Sequence, residues 1–192
     1  MIDFKYAEQV GKYCSENNLW NIPEEEARFF YELILKNKYK RILEFGTSGG
    51  YSTLWLAYAA HKNAPENAVI HTIESNKLRY EIAKTHLDKT GLNITVFLGH
   101  CPECLPEFLN QGVKYDFIFM DIVKKHYLET FKLSVDLLEK NGIIAADNIN
   151  THKKETKDFV DYISEQNNFN TQILDICNGI SLTQMRINHE YD

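Results

Sequence analysis

Arg41–Tyr58 reads Arg-Ile-Leu-Glu-Phe-Gly-Thr-Ser-Gly-Gly-Tyr-Ser-Thr-Leu-Trp-Leu-Ala-Tyr, and this stretch decides the fold. Ile42–Phe45 is a short apolar run that ends in a glycine-rich turn. Beyond the turn, Leu54, Ala57 and Tyr58 recur at helical spacing, so the segment is a strand, a tight turn and a helix. Gly46 lets the chain turn sharply at the strand end, and Gly50 lets a ligand approach the first helical turn. The helix N-terminus offers free N–H groups. Glu44, just before the turn, is placed to accept a hydrogen bond from an ammonium or an amide.

The spacing Glu-x-Gly-x-x-x-Gly is not Gly-x-Gly-x-x-Gly, which disfavours a dinucleotide. It is also not Gly-x-x-x-x-Gly-Lys-Ser/Thr, which excludes a P-loop. A second acid, Glu74, ends the next apolar run, Val69–Ile73, where a carboxylate can accept both hydroxyls of a ribose. Either acid alone is ordinarily a solvated strand end. Two acids at successive strand ends fit an adenosine ligand with a cationic or zwitterionic tail.

The stretch Glu-Phe-Gly-Thr-Ser-Gly-Gly-Tyr-Ser-Thr-Leu-Trp-Leu-Ala resembles the first motif of class I S-adenosylmethionine-dependent methyltransferases. More narrowly, it resembles the cation-dependent O-methyltransferases of the catechol and caffeoyl-CoA type. The likeness runs from about Pro23 to the last strand. It implies a Rossmann-like α/β fold: a mostly parallel seven-stranded sheet, a C-terminal antiparallel hairpin and helices on both faces. It also implies that residues 1–40 form part of a lid or dimer surface, and hence a homodimer.

With 192 residues, the chain is expected to form one domain, 1–192, with a substantial core. A hydrophobic content of 44% and a charged content of 25% are ordinary for a globular protein. The formal charge of −6 argues mildly against a large nucleic-acid surface, which needs Lys and Arg in surplus. The apolar stretch Leu54–Ala60 is too short to span a bilayer. The N-terminus carries no apolar signal region. The expectation is a cytoplasmic protein with no membrane partner. Cys101-Pro-Glu-Cys104 has CxxC spacing, but Cys14 and Cys177 supply no second pair for zinc. Two thiols at the start of a helix is the preferred reading.

A helical stripe of Tyr6, Val10 and Tyr13 predicts a helix over residues 3–16, ended by Asn17 and Asn18. Pro23 is expected in the first turn of a second helix, with Glu24–Glu26 complementing its dipole and Ala27, Phe30 and Ile34 on its buried face. Strand and helix then alternate through Val69–Ile73, Leu78–Lys89, Ile94–Leu98, Pro102–Asn110, Tyr115–Asp121, His126–Glu139, Ile143–Asp147 and Thr151–Glu165. Leu128, Phe131, Val135 and Leu138 form the expected inner face of the sixth helix. Gly91 and Gly142 read as helix C-caps. Repeated βα units imply a parallel sheet covered on both faces. Asn178-Gly179, between Gln172–Ile176 and Ile180–Met185, signals a hairpin.

Ligands bind outside the carboxyl ends of such strands. Those ends read Glu44, Glu74, Gly99–Cys101, Asp121, and Asp147 with Asn148. Either Asp alone is an ordinary loop cap. Asp121, Asp147 and Asn148 together supply three oxygen ligands and two negative charges, which suits Mg²⁺ or another hard divalent cation. The segment from Phe119 to Tyr127 resembles the family's Asp-x-x-Lys-x-x-Tyr, and Ala145–Asn148 its Ala-Asp-Asn. By that resemblance Asp121, Asp147 and Asn148 are metal ligands and Lys124 is the general base. Without it, Lys124 is one member of a solvated Lys-Lys pair. The resemblance also implies that Glu44, Gly46, Thr47, Gly50, Ser52, Glu74, Cys101 and Asp121 line the S-adenosylmethionine pocket. Val123 and His100 stand where many bacterial relatives carry Asp.

The expected function is methyl transfer from S-adenosylmethionine, dependent on a divalent cation, to a small-molecule acceptor with adjacent, phenolic hydroxyls. A tRNA with a hydroxylated wobble base is the alternative acceptor. A cofactor-binding protein without turnover is the alternative from another class.

Overall fold

The computed structural model describes residues 4–186. Its centre is one seven-stranded sheet in the order β3-β2-β1-β4-β5-β7-β6, with strands β1 (Arg41–Phe45), β2 (Val69–Glu74), β3 (Ile94–Leu98), β4 (Tyr115–Met120), β5 (Leu138–Ala146), β6 (Phe169–Leu174) and β7 (Ile180–Met185). The first five pair in parallel, while β7 runs antiparallel to both β5 and β6. This is the expected mostly parallel sheet closed by a hairpin.

Successive residues of the central strands feed two separate cores. Ile42, Phe117 and Phe119 pack on one face, and Leu43, Ile118 and Met120 on the other. Side chains alternate across a strand, so a sheet covered on both sides needs a continuous apolar run. The first face is covered by α1 (Phe4–Glu16), α2 (Glu24–Asn37) and α3 (Tyr51–Asn63), with Ala83 and Leu87 of α4 (Lys77–Asp88). The second is covered by α5 (Leu105–Asn110), α6 (Tyr127–Ser134) and α7 (Lys157–Glu165).

Helix α3 is more deeply set than its stripe predicts. Every residue from Tyr51 to Ala60 is buried, because α1 and α2 pack against the helix in addition to the sheet. The N-terminal helices are therefore part of the core layer. Phe30 of α2 meets Phe117 and Phe119 with ring centroids 5.7 and 4.7 Å away. Such aromatic pairs add about 0.5–1.5 kcal/mol beyond their buried area.

Several boundaries differ from expectation. The predicted residue 3 of the first helix lies outside the described residues. Pro23 precedes α2 as its N-cap, with extended backbone, instead of sitting in the first turn. Helix α5 starts at Leu105, after a turn over 101–104, and α7 starts at Lys157. The predicted helix 126–139 is a 3-10 turn, a short α6 and a second 3-10 turn, and β5 has begun by Leu138. Its fully buried face is Tyr127, Thr130, Phe131 and Ser134: Phe131 is buried as expected, while Tyr127 and Ser134 take the places expected of Leu128 and Val135. Gly142 is not a C-cap. It lies within β5, where a Cβ would come within 2.8 Å of the Asp116 carbonyl oxygen.

Candidate active site

The strand order reverses between β1 and β4, the position at which open α/β sheets bind ligands. Hydrogen bonding continues one residue past each strand there. Gly46 donates to Ile73 O at 2.9 Å, Asp121 to Phe45 O at 2.9 Å, and Asp147 to Met120 O at 3.1 Å. These bonds hold the residues that follow β1, β4 and β5 level with one another. Buried Tyr127 joins the ends of β4 and β5, directing its hydroxyl toward the carbonyls of Met120 and Asp147, each 3.2 Å away.

Beneath the glycine turn lies a hydroxyl–carboxylate network. Glu44 is fully buried, and its carboxylate accepts from Ser52 at 2.6 Å, Thr53 at 2.5 Å and Thr72 at 2.6 Å. Thr47 shares a hydrogen bond with Thr72 at 2.6 Å. Burial pushes the Glu44 carboxyl up to about 7, against the pull of its three hydroxyl donors. Glu44 thus underpins the turn from inside instead of standing free at the strand end. Thr47 and Ser52 face it, with Ser52 slightly exposed. Gly50 also has a duty its spacing did not show: at φ +91° it enters α3, and a Cβ there would meet Leu87 of α4 at 3.2–3.4 Å.

Glu74 ties the turn to β2. Its two oxygens accept Ser48 N and Asn76 N, each at 2.8 Å, and Arg79 ion-pairs with it at 3.2 Å. The exposed Trp20 ring lies over the Arg79 guanidinium at 5.1 Å. The sequence brings Glu74 and the glycine turn together as expected, with the carboxylate already oriented by two backbone amides. Farther along, the Cys101 and Cys104 sulfurs are 3.6 Å apart, both thiols free, in the turn before α5. The hydrogen bond with Cys104, followed by burial, raises the Cys101 thiol, while the hydrogen bond from Cys101 lowers Cys104. His100 and Val123 are both exposed.

The acidic end of the site is at β4 and β5. Asp121 is half-buried and pairs with Lys124 Nζ at 2.7 Å. Asp147 is buried, accepting from the backbone and side-chain nitrogens of its neighbour Asn148, both at 2.5 Å. Burial and the charge of Asp121 raise Asp147 to about 7. Asn148 has φ +65°, and its loop is braced by the hairpin tip: Ile149 donates to Gly179 O, and Asn150 and Thr151 donate to Asn178 O. The antiparallel hairpin at the sheet edge therefore fixes where Asn148 sits.

Glu26 completes this end. The sequence reads it with Glu24 and Glu25 as complementing the dipole of α2. It is instead fully buried, neither carboxylate oxygen has a hydrogen-bond partner, and its charged neighbours are Asp147, Asp121 and Lys124. Burial, followed by the two aspartates, pushes it up to about 9. One signal was available: Glu26, Phe30 and Ile34 fall at i, i+4 and i+8, so Glu26 extends the buried stripe by one turn. Tyr127 was likewise visible only as part of a motif.

A divalent cation fits these residues. Asp121 and Asp147 are acids on adjacent strand ends, and the buried Glu26 oxygens beside them receive no hydrogen bond from a protein donor. Among the described residues no three His, Cys, Asp or Glu side chains are already gathered as a ligand shell. In keeping with that, Asp121 faces Lys124 and Asp147 faces Asn148.

The sheet order, the glycine turn at the switch point and the acids along one edge define a doubly wound α/β protein of the class I methyltransferase architecture. An O-methyltransferase from Bacillus cereus, solved in complex with SAH, shares the fold with a TM-score of 0.84 at 22% identity, over 95% of this chain and 91% of that one. The O-methyltransferase TomG from Streptomyces achromogenes, solved in complex with SAM, gives 0.82 at 20% identity, over 94% and 89%. The O-methyltransferase family model matches residues 6–184, and the chain belongs to that family. Among curated relatives, it is 30% identical to a catechol O-methyltransferase of Niastella koreensis, over 67% of this chain and 58% of that protein. It is 33% identical to caffeoyl-CoA O-methyltransferase 2 of Petunia hybrida, over 67% and 55%. The chain thus spans a little over half the length of these relatives. Among the described residues no helix is long and apolar enough to cross a membrane.

Proposed function

We propose that this chain transfers the methyl group of S-adenosylmethionine to a hydroxyl of a small acceptor bearing adjacent hydroxyls, with a divalent cation held by Asp121, Asp147 and Asn148. The observation that carries the reading is the pair of acids, Asp121 and Asp147, on adjacent parallel strand ends at the switch point. Two carboxylates there repel unless a cation lies between them.

The cofactor end is the glycine turn with Glu74. Ser48 N and Asn76 N orient the Glu74 carboxylate, leaving acceptor capacity for ribose hydroxyls. Ser52, Thr47 and Glu44 support the turn from below. Cys101 and Asp121 would line the cofactor pocket, with Asp121 shared between cofactor and cation. When bound, the cation lowers the pKa of an acceptor hydroxyl and offsets the carboxylate charge. Lys124 Nζ, at 2.7 Å from Asp121 and largely shielded from solvent, is the group placed to take the acceptor's proton. The acceptor oxygen then attacks the methyl carbon in line: the O–CH₃ bond forms as the S–CH₃ bond breaks, the electron pair stays on sulfur, and the thioether SAH leaves.

The test is a labelled-methyl transfer assay against catechols and hydroxylated nucleosides, with EDTA and then with Mg²⁺ restored. Transfer to a catechol that stops in EDTA and returns with Mg²⁺ is expected. Asp147→Ala should abolish it while leaving SAH affinity nearly unchanged. Undiminished transfer in EDTA or in Asp147→Ala would overturn the cation reading, and transfer to nucleosides alone would overturn the acceptor.

A further inference from the structure

We infer that Glu26 is an additional protein ligand of the divalent cation, supplied by the N-terminal helix layer. This rests on the cation reading above. Three observations converge on it. Glu26 is fully buried and no protein donor reaches either of its oxygens; its close polar neighbour is the Asp147 carboxylate, a pairing that is costly for two ionised acids unless something in the site answers it. Its charged neighbours are Asp147, Asp121 and Lys124, the groups that frame the proposed cation position, and the side chain is closed to solvent. Its place is also fixed: one turn on, Phe30 is wedged against Phe119 and Phe117 of β4, and Ile34 is buried on the same stripe.

A hard cation favours carboxylate oxygen over other donors. The consequence is that cation binding fastens α2 to the ends of β4 and β5. The N-terminal layer then takes part in building the acceptor side of the site.

The experiment is titration of the purified protein with Mn²⁺, followed by electron paramagnetic resonance of the free ion and by the Mn²⁺-induced shift in melting temperature. Wild type, Glu26→Gln, Glu26→Asp and Asp147→Asn are compared. Glu26→Gln keeps the shape and removes the charge, and it is expected to weaken Mn²⁺ binding about tenfold or more, the scale for losing a group that supports a metal site. Glu26→Asp should bind more tightly than Glu26→Gln. SAH affinity, and melting temperature in EDTA, should be maintained in Glu26→Gln, which shows that the variant folds. If Glu26→Gln binds Mn²⁺ as tightly as wild type while Asp147→Asn does not, Glu26 is only a neutral neighbour of Asp147 and the inference falls alone. If wild type binds no Mn²⁺, the cation reading falls with it.

Discussion

Gly46 faces the backbone of Asp121 so closely that a Cβ on residue 46 would stand 2.1 Å from the Asp121 carbonyl oxygen. Its φ of +101° is also a conformation that L side chains rarely adopt. The end of β1 and the end of β4 can therefore lie side by side only with glycine at this point. Gly46→Ala is expected to cost about 3 kcal/mol or more, from strain and from a clash with backbone that cannot rotate away. Urea denaturation would check this. SAH affinity should fall as well, since relief of the clash must move either the turn or Asp121. A loss under 1 kcal/mol would mean the two strand ends are less tightly placed than described.

Buried Glu44 makes stability depend on pH in a direction opposite to that of an exposed, ion-paired acid. Its carboxyl is raised from 4.5 to about 7 on folding, by burial above all. Between these values the folded protein binds more protons at this group than the unfolded chain does. The associated stability is thus full below about pH 4.5 and is lost as pH rises through about 7. The shift corresponds to roughly 3 kcal/mol. Glu44→Gln should flatten this part of the profile, so wild type should lose ground to the variant from pH 5 to pH 8. Denaturation curves of both proteins across that range measure it, and parallel profiles would contradict it.

The Glu74 carboxylate has two tasks, holding Ser48 N and Asn76 N and, by the proposal above, receiving a ribose. Glu74→Ala is expected to weaken SAH binding by about 1.5–3 kcal/mol, the scale of lost charged hydrogen bonds. Isothermal titration would show it. Glu74→Gln keeps one acceptor oxygen and should fall between wild type and Glu74→Ala. SAH affinity unaffected by Glu74→Ala would remove this residue from the cofactor site.

Local pattern determined much of this protein. The apolar run, glycine turn and helical spacing of Arg41–Tyr58 specify β1, the turn and α3, because strand and helix periods differ and glycine marks the turn between them. The alternating units specify the parallel sheet, and the bounds of Ile94–Leu98 and Ile180–Met185 coincide with β3 and β7. The acids at strand ends were legible for the same reason, since each ends an apolar run. What only the tertiary structure decided is which side of each element is covered, and by what. Glu44 became an internal prop because α3 and β2 bring Ser52, Thr53 and Thr72 onto its carboxylate. Gly142 became a strand residue because Asp116 and Leu138 crowd it. Glu26, written in the sequence as one of three acids opening a helix, was carried inside by Phe30 packing on β4, toward aspartates about a hundred residues away in the chain. Periodicity reports the spacing of neighbours along one helix or strand. The burial of a charge depends on surfaces that meet only when the sheet is assembled.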